Sequence, residues 1–397
     1  MNDHVATLAD LVRRPSVNPM GRDVSGPEYL EGRVGDYLAA RFEAAGVPWA
    51  RQRVAPGRDN ILAVVEPTEA GGPTILWDAH QDTVPVEGMS IEPFRPSVQQ
   101  GRLYGRGACD VKGGMAAMIV AIDRLSRLPR RRSRVVFAAS VNEEFGFSGA
   151  RAVARLWEQA ASDLAESDRA AATLLGGRPD VAVIAEPTGL DIVTEHKGAI
   201  RWRVRVRGRA CHSAFPEEGI NAIYPAARVI AAIESLAGEL LHRDVTHPCG
   251  PPTLSIGTIH GGVGVNLVPD EVVLEIDRRI VPGESPAAAR DEVIARITAA
   301  ILPADTVEHE EPFLESGGLT VADDSPAGMI EAAAGTLGLG PRRLAARYGT
   351  NAGIYASAGV PSVVFGPGSI AQAHTADEWI DLEELATAVS ILERSVG

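Results

Sequence analysis

The sequence predicts an α/β fold with a mainly parallel sheet and a smaller α+β domain inserted into it. Over the first 195 residues, short apolar runs alternate with helical stretches, which is typical of parallel strands joined by crossover helices. From about residue 196 long alternating strands replace this pattern, and after about residue 310 the first pattern returns. We therefore predict one domain from residues 1–195 and 310–397, with residues 196–309 inserted. A chain of 397 residues is also too long for one ordinary core.

Local patterns predict the elements of the first part. Apolar residues at four-residue spacing from Leu30 to Phe42, followed by Gly46, predict a helix with a glycine C-cap. A glycine-rich turn at residues 103–114 leads into a second helix near Met115, and the alanine-rich residues 149–178 are predicted to be helical. Short apolar runs predict four buried strands, at residues 61–65, 74–77, 134–141 and 181–185.

The inserted part has a different pattern. Residues 200–207 alternate an apolar side chain with an arginine, which predicts a half-buried strand of an antiparallel sheet. A predicted helix at 221–236, strands at 253–259 and 271–280, and a helix at 286–301 complete an α+β order. A strand at residues 362–365 and a final helix through Leu385, Val389 and Leu392 then resume the α/β pattern.

Composition and charge exclude several classes of protein. With 45% hydrophobic and 23% charged residues, the chain is a globular protein, and no apolar run approaches the ~20 residues that a membrane span needs. The formal net charge of −14 argues against nucleic acid as a partner. Three cysteines (Cys109, Cys211 and Cys249) form no even framework, and the N-terminus lacks a secretory pattern, so we expect a cytoplasmic protein.

The first candidate site residue is a histidine at the end of an apolar run. The run from Ile75 ends at His80, and Asp82 follows two residues later. While the chain stays extended, these two side chains point to the same side. Such a pair suits a metal-binding histidine whose second ring nitrogen is oriented by a carboxylate. By itself the pair could arise by chance.

Further candidate ligands follow along the chain. Imidazole and carboxylate groups suit zinc and its divalent neighbours, and five of them are too many for one tetrahedral zinc ion. They suit two metal ions ~3.5–4 Å apart if one carboxylate bridges them. Most of them follow a predicted strand, where ligands gather in α/β sheets. The candidates are His80, Asp110, Glu144, Glu186 and His374, with Glu143 beside them. The alternative, that all are ordinary surface or loop residues, requires several coincidences.

These residues lie in motifs that resemble a known family. The chain is similar to the zinc metallopeptidases and deacylases that include acetylornithine deacetylase, succinyl-diaminopimelate desuccinylase, aminoacylase and glutamate carboxypeptidase. The motifs occur in the family order over nearly the whole chain. They are His80-Gln-Asp-Thr-Val84, Gly105-Arg-Gly-Ala-Cys-Asp-Val-Lys-Gly-Gly114, Asn142-Glu-Glu-Phe-Gly146, Ala185-Glu-Pro-Thr188 and Ala373-His-Thr-Ala-Asp-Glu378.

The resemblance implies a role for each ligand. Asp110 would bridge two zinc ions (cobalt or manganese stays open as the native metal) and would be followed by a cis peptide. His80 and Glu186 would complete one metal site, and Glu144 and His374 the other. Asp82 would orient His80. The implied fold is a zinc-peptidase catalytic domain with an inserted dimerisation (lid) domain.

The implied reaction is hydrolysis of an amide by metal-activated water, with Glu143 as the general base. His212, in the inserted domain, would stabilise the oxyanion from the partner subunit of a homodimer, and Asn266 would bind substrate. Arg278 or Arg279 and Arg347, with Thr350 near it, are candidate contacts for a substrate carboxylate. For each arginine, a structural salt bridge is an equal alternative.

Within the family, the nearest branch resembles acetylornithine deacetylase. Tyr348-Gly-Thr-Asn351 departs from the Gly-Gly-Thr-(Ser)-Asp of desuccinylases and carboxypeptidases, whereas the long segment 149–178 departs from the deacetylase branch itself. We expect an N-acyl amino acid as substrate, with a dipeptidase, carboxypeptidase or desuccinylase activity as the alternative. A catalytically silent binding protein is the alternative from another class, and the presence of Glu143 with all five ligands argues against it.

Overall fold

The structure is a computed structural model that describes residues 2–160, 162–243, 246–301, 306–320 and 323–396. The chain forms two compact units. The first unit comprises Met1–Thr194, Val321–Leu344 and Thr350–Gly397, and the second comprises Glu195–Thr320 and Ala345–Gly349. The second unit extends past the predicted boundary at residue 310 because a further strand, Leu314–Ser316, pairs with its central strand. That the units correspond to folding domains stays a prediction.

The helices and strands have the following bounds. The helices are α1 Asp3–Val12, α2 Gly32–Ala45, α3 Lys112–Leu125, α4 Ser148–Glu158, α5 Glu166–Leu175, α6 Ile223–Leu241, α7 Pro286–Ala300, α8 Ser325–Gly335, α9 Ala352–Ser357 and α10 Leu382–Ser395. The strands are β1 Trp49–Ala55, β2 Arg58–Val65, β3 Thr74–His80, β4 Ser97–Gln99, β5 Arg102–Tyr104, β6 Arg134–Ser140, β7 Val181–Ile184, β8 Ile192–His196, β9 Gly198–Arg207, β10 Thr253–Gly261, β11 Glu271–Ile280, β12 Val307–His309, β13 Leu314–Ser316, β14 Arg343–Ala346, β15 Ser362–Phe365 and β16 Trp379–Asp381.

The large sheet has a parallel centre, and strands β2 and β8 on either side of it run antiparallel to their central neighbours. Its described strands lie in the order β1-β2-β6-β3-β7-β15-β8-β14. Strands β6, β3, β7 and β15 run parallel, which confirms the predicted parallel sheet where it carries the candidate ligands. Strands β1 and β2 pair antiparallel through a two-residue turn in which Gly57 has φ +74°, a conformation that favours glycine. This hairpin was not predicted.

Helix α3 is almost entirely buried, and its burial fixes the glycine-rich turn before it. Its residues from Lys112 to Ile122 are all buried, among them Met115 and Met118. A helix that is apolar all round belongs inside a core, and α3 packs against α1, α10 and β3. Because Asp110 immediately precedes this helix, the core holds the backbone of a candidate ligand.

One sequence prediction about helices needs correction. Helix α2 begins at Gly32, whereas Leu30 lies outside it with φ +63°. The predicted C-cap is confirmed, since Gly46 is left-handed and Val47 N–H donates to Phe42 O at 3.0 Å. The alanine-rich segment is helical, as predicted, and contains two helices, α4 and α5.

The second unit contains the antiparallel sheet β10-β11-β9-β12, with β13 also paired to β9. The predicted alternation is confirmed, since Trp202, Val204 and Val206 are buried against α6 and α7. The arginines of β9 face carboxylates on β11. Arg201 stands opposite Asp277 with a 2.6 Å ion pair, and Arg203 opposite Glu275 with one of 2.9 Å. Cross-strand pairs of this kind stabilise the sheet by roughly 0.2–1 kcal/mol each.

Among the described residues, no helix combines the length and the apolar character that crossing a membrane requires.

Candidate active site

Three neighbouring parallel strands end at the candidate ligands. Strand β3 ends at His80, β6 is followed by Glu143 and Glu144, and β7 by Glu186. Because the carboxyl ends of parallel strands share one edge of the sheet, these side chains converge there. His374 lies in the loop after β15, the next strand along, and has φ +61°. All of these residues belong to the first unit.

The structure groups the five predicted ligands into two sets that share Asp110. His80, Asp110 and Glu186 form one set, and Asp110, Glu144 and His374 form the other, with ligand atoms within 4.8 Å of one another in each. Asp110 Oδ1 lies 3.1 Å from His80 Nε2, and Asp110 Oδ2 lies 3.2 Å from His374 Nε2. Each oxygen of one carboxylate thus faces a different set. The peptide bond after Asp110 is cis, as the resemblance implied.

Burial and mutual repulsion perturb the acidic groups of the site. Burial raises the pKa of Glu143 and of Glu186 well above the ordinary value, and nearby carboxylates raise both further. Bonds to Asp110 and Glu144 raise the pKa of His374 to about 11. Burial alone would lower the pKa of His80, but its bond to Asp110 and the surrounding carboxylates raise it well above its usual value.

The donor set fits divalent metal ions. Buried carboxylates need positive charge close by, and here several of them surround two histidines. Three donors per set, drawn from imidazole and carboxylate groups, match the ligand types of zinc and its divalent neighbours. Glu143 belongs to neither set, although it is buried near both.

Asp82 acts differently from the expectation. His80 Nδ1 lies 2.9 Å from the backbone oxygen of Asp82, whereas the carboxylate oxygen Oδ1 is 3.8 Å away. The carboxylate instead accepts the backbone N–H groups of Glu143 at 3.0 Å and Glu144 at 3.1 Å. Strand β3 ends at His80, so Asp82 lies beyond the strand on which the same-side argument relied.

Asn18 also bonds to this carboxylate, and the motifs did not identify it. Its Nδ2 donates to Asp82 Oδ2 at 2.8 Å, and it is fully buried. Asn18 lies among other polar and charged residues of the N-terminal segment, so the sequence offers no signal for this role.

In the second unit, His212 and Asn266 are brought side by side. Ser213 N–H donates to Asn266 O at 3.0 Å, and His212 forms a β-bridge with Leu267. His212 Nδ1 accepts the backbone N–H of Ala214 at 3.0 Å, so the neutral ring carries its proton on Nε2. Both residues are exposed.

The candidate substrate contacts differ in their surroundings. Arg278 is fully buried and donates to Glu284 at 3.1 Å, which favours the structural salt bridge over a substrate contact. Arg279 is paired with Asp277. Thr350 is also fully buried, and its hydroxyl accepts the N–H of Ala352 at the start of α9.

Arg347 is the candidate whose guanidinium group is not paired with a carboxylate within the described residues. It is exposed, and within the described residues it makes no hydrogen bond or ion pair. Lys197, which the sequence reasoning did not assign, lies near it in the same unit and is 2% exposed. Burial lowers the pKa of Lys197, and the positive charge of Arg347 lowers it further. Two basic side chains therefore lie close together in this part of the second unit.

Comparison with known proteins identifies the family. Residues 76–397 match the peptidase family M20/M25/M40. The acetylornithine deacetylase of Myxococcus xanthus is 30% identical over 374 residues, covering 91% of this chain and 90% of that protein. The acetylornithine deacetylase of Proteus mirabilis is 31% identical over 394 residues, covering 96% and 94%.

Solved structures share the fold. An M20 family metallo-carboxypeptidase from Sulfolobus solfataricus, Sso-CP2, has a TM-score of 0.75 at 18% identity, covering 100% of this chain and 99% of its own. Human carnosine dipeptidase 1 has a TM-score of 0.72 at 17% identity, covering 99% and 96%. The Bacillus subtilis YXEP protein, described as a dinuclear metal binding peptidase, has a TM-score of 0.65 at 17% identity, covering 99% and 96%. The resemblance inferred from the motifs is confirmed, and the chain is a metal-dependent amidohydrolase that belongs to the peptidase family M20/M25/M40.

Proposed function

We propose that the protein hydrolyses the amide bond of an N-acyl amino acid with two divalent metal ions, zinc first among them. The observation that carries this proposal is the pair of ligand sets sharing Asp110, with Glu143 buried beside them. One ion would be held by His80, Asp110 and Glu186, and the other by Asp110, Glu144 and His374. Because the two relatives described above are acetylornithine deacetylases, acetylated amino acids with an ornithine-like side chain are the first substrates to test.

Glu143 is the proposed general base. When bound, the two ions supply a water molecule of lowered pKa. Glu143 takes a proton from this water and passes it to the leaving nitrogen of the substrate. The Asp82 carboxylate accepts the backbone N–H groups of Glu143 and Glu144 and so fixes the positions of the base and of a metal ligand.

His212 is the proposed donor to the substrate carbonyl oxygen. Its Nε2–H is the donor of the neutral ring, since Nδ1 is already an acceptor. A donor aimed at this oxygen stabilises the negative charge that develops on it. We propose that His212 of the partner subunit supplies this group, with Asn266 beside it binding substrate.

Two features of the second unit support a homodimer. Strand β10 lies at the end of its sheet, and within the described residues no strand pairs with its outer edge. Apolar residues are exposed on and just after this strand, with Ile259 54% exposed and Val265 100% exposed. An unpaired edge with apolar neighbours is a pairing surface for a second copy.

Arg347 and Lys197 are proposed to attract the substrate carboxylate. Arg347 is free of ion pairs within the described part of the chain, and Lys197 is a buried cation near it. An arginine with an unused guanidinium can bind a carboxylate through two parallel hydrogen bonds.

A hydrolysis screen tests the proposed activity. The metal-loaded protein, with zinc or cobalt added, is assayed against N-acetyl, N-succinyl and N-formyl amino acids and a set of dipeptides. We expect turnover of N-acetyl amino acids, with ornithine-like side chains ahead of others. Preferred cleavage of dipeptides or N-succinyl substrates would replace the proposal by the alternative activity. Protein carrying Glu143→Gln, purified in parallel, controls for contaminating hydrolases.

A further inference from the structure

Glu378 lies where two ligand-bearing segments meet. It precedes β16, and β16 pairs with β5 in the register Trp379 to Tyr104. This ladder brings the segment after His374 alongside the glycine-rich turn that carries Asp110. The backbone of Glu378 takes part as well, since its carbonyl oxygen accepts Gly105 N–H at 3.0 Å.

The Glu378 carboxylate is fully buried and accepts four hydrogen bonds from this turn. Oε1 accepts the backbone N–H groups of Cys109 and Asp110, both at 2.9 Å. Oε2 accepts Gly107 N–H at 2.9 Å and Arg106 Nη1 at 2.8 Å. With 0% exposure there is no solvent to replace any of these bonds. The turn therefore surrounds the Glu378 carboxylate with hydrogen-bond donors.

The hydrogen bonds to Glu378 hold the backbone of Asp110 in position. One end of Asp110 is held because its N–H donates to Glu378, while its two carboxylate oxygens face His80 and His374. Because Glu378 is only four residues after His374, the same carboxylate also links the segment that carries Asp110 to the segment that carries His374. We propose that Glu378 is a positioning residue that fixes Asp110 between the two ligand sets, so that removing its charge weakens metal binding.

A neutral amide cannot replace this carboxylate. Glutamine has one acceptor oxygen and an NH₂ group, and in either orientation the NH₂ faces N–H donors that need an acceptor. Buried donors without partners are costly, so the turn has to shift and Asp110 shifts with it. Partners that orient metal ligands typically contribute ~10–100-fold to metal affinity. This inference rests on the proposed two-metal site.

The test measures metal binding directly. Full-length wild type and Glu378→Gln are stripped with a chelator, checked by circular dichroism and titrated with Co²⁺, following heat and the visible absorption of bound cobalt. We expect Glu378→Gln to bind Co²⁺ at least ~10-fold more weakly, with a changed absorption spectrum. Glu284→Gln is the matched control, because Glu284 also accepts one arginine N–H and one backbone N–H, from Arg278 and Val281, but in the second unit. It should bind Co²⁺ like wild type.

The outcomes separate this inference from the proposed function. A folded Glu378→Gln protein with wild-type affinity and spectrum would overturn the positioning role alone, whereas a wild type that binds no Co²⁺ would remove the metal site itself. Glu378→Asp keeps the charge on a side chain one methylene shorter, and we expect its affinity to lie between those of wild type and Glu378→Gln. If neither variant folds while Glu284→Gln does, Glu378 serves the fold instead of the ligands, and the proposal is wrong.

Discussion

Glu143 and Glu144 are neighbours in the sequence, but the structure gives their side chains different surroundings. Glu144 lies in a ligand set with Asp110 and His374, whereas Glu143 belongs to neither set. At the residue scale, adjacent identical side chains should therefore respond differently to the same substitution.

Glu143→Gln should abolish turnover and leave metal content unchanged. Removing a positioned acid/base lowers the rate by at least ~10²-fold, and Glu143 ligates nothing in the proposed site. Glu144→Gln, the matched variant, should lose metal as well as activity. Metal analysis and kcat of both purified proteins provide the measurement. A Glu143→Gln protein that lost its metal or kept its rate would show that Glu143 has another role.

His212→Ala should lower kcat by ~10²–10³-fold, as loss of one oxyanion donor typically does, with metal content unchanged. If His212 acts across a dimer, a hybrid of this variant with Glu143→Gln contains one site in which both groups are intact. Co-expression with two different tags isolates this hybrid for assay, and we expect activity to return in part. A confirmed hybrid without activity would mean that His212 acts within its own subunit or not at all.

At the scale of elements, the turn after β6 depends on the side chain of Asp82, which follows the neighbouring strand β3. The Asp82 carboxylate accepts the N–H groups of Glu143 and Glu144 and the side-chain amide of Asn18. The turn includes Asn142 with φ +61°, a conformation that is unfavourable for most residues. Contacts from Asp82, which follows β3, therefore help to hold this turn.

Asp82→Asn should lower kcat by roughly 10–100-fold, the range for partners that orient metal ligands. Asparagine keeps the size of the side chain but replaces one acceptor oxygen with a donor that faces N–H groups. Asn18→Ala removes only one donor and should have a smaller effect. Steady-state kinetics of the two variants compare them, and equal rates for Asp82→Asn and wild type would contradict the role given to Asp82.

The sheet of the second unit should become less stable in acid because of His309 on β12. Burial, with Arg290 nearby, lowers the pKa of His309 from 6.5 to about 4, and Nδ1 accepts the indole N–H of Trp202 at 3.3 Å. Between pH 6.5 and about 4 the unfolded chain binds a proton that the folded chain does not. Stability from this group is therefore present above pH 6.5 and is lost as the pH falls towards 4.

His309→Gln should reduce the loss of stability in acid. The melting temperature of the variant should fall less steeply than that of wild type between pH 6.5 and 4. Metal loss and the protonation of carboxyl groups affect both proteins alike. Parallel slopes for His309→Gln and wild type would contradict the assignment.

At the scale of the whole molecule, the proposed dimer depends on the edge of the second unit. Ile259→Lys on β10 places a charge on an exposed apolar position of an edge strand, which is how natural sheets avoid pairing. We expect this variant to be monomeric at concentrations at which wild type is a dimer. Val98→Lys, which changes a similarly exposed apolar residue in the first unit, should leave the assembly unchanged. Sedimentation analysis of the three proteins distinguishes these outcomes, and a monomeric wild type would refute the dimer.

The ligand set and the order of elements could be predicted from the sequence because they depend on local pattern. Strand ends are visible where an apolar run meets a polar residue, as at His80 and Glu186, and parallel strands bring such ends to one edge. The alternation of β9 likewise predicts its buried face without knowledge of its partners.

The tertiary structure alone decided which groups hold these ligands in place. Asp82 bonds to the backbone of residues 143 and 144, and Glu378 bonds to the turn at residues 106–110, across separations of up to 272 residues. Arg278 was a candidate for substrate until the structure paired it with Glu284. A hydrogen-bond partner depends on where distant segments meet, and that meeting is set by sheet order and core packing. Local sequence therefore determined which residues carry the chemistry, and packing decided what positions them.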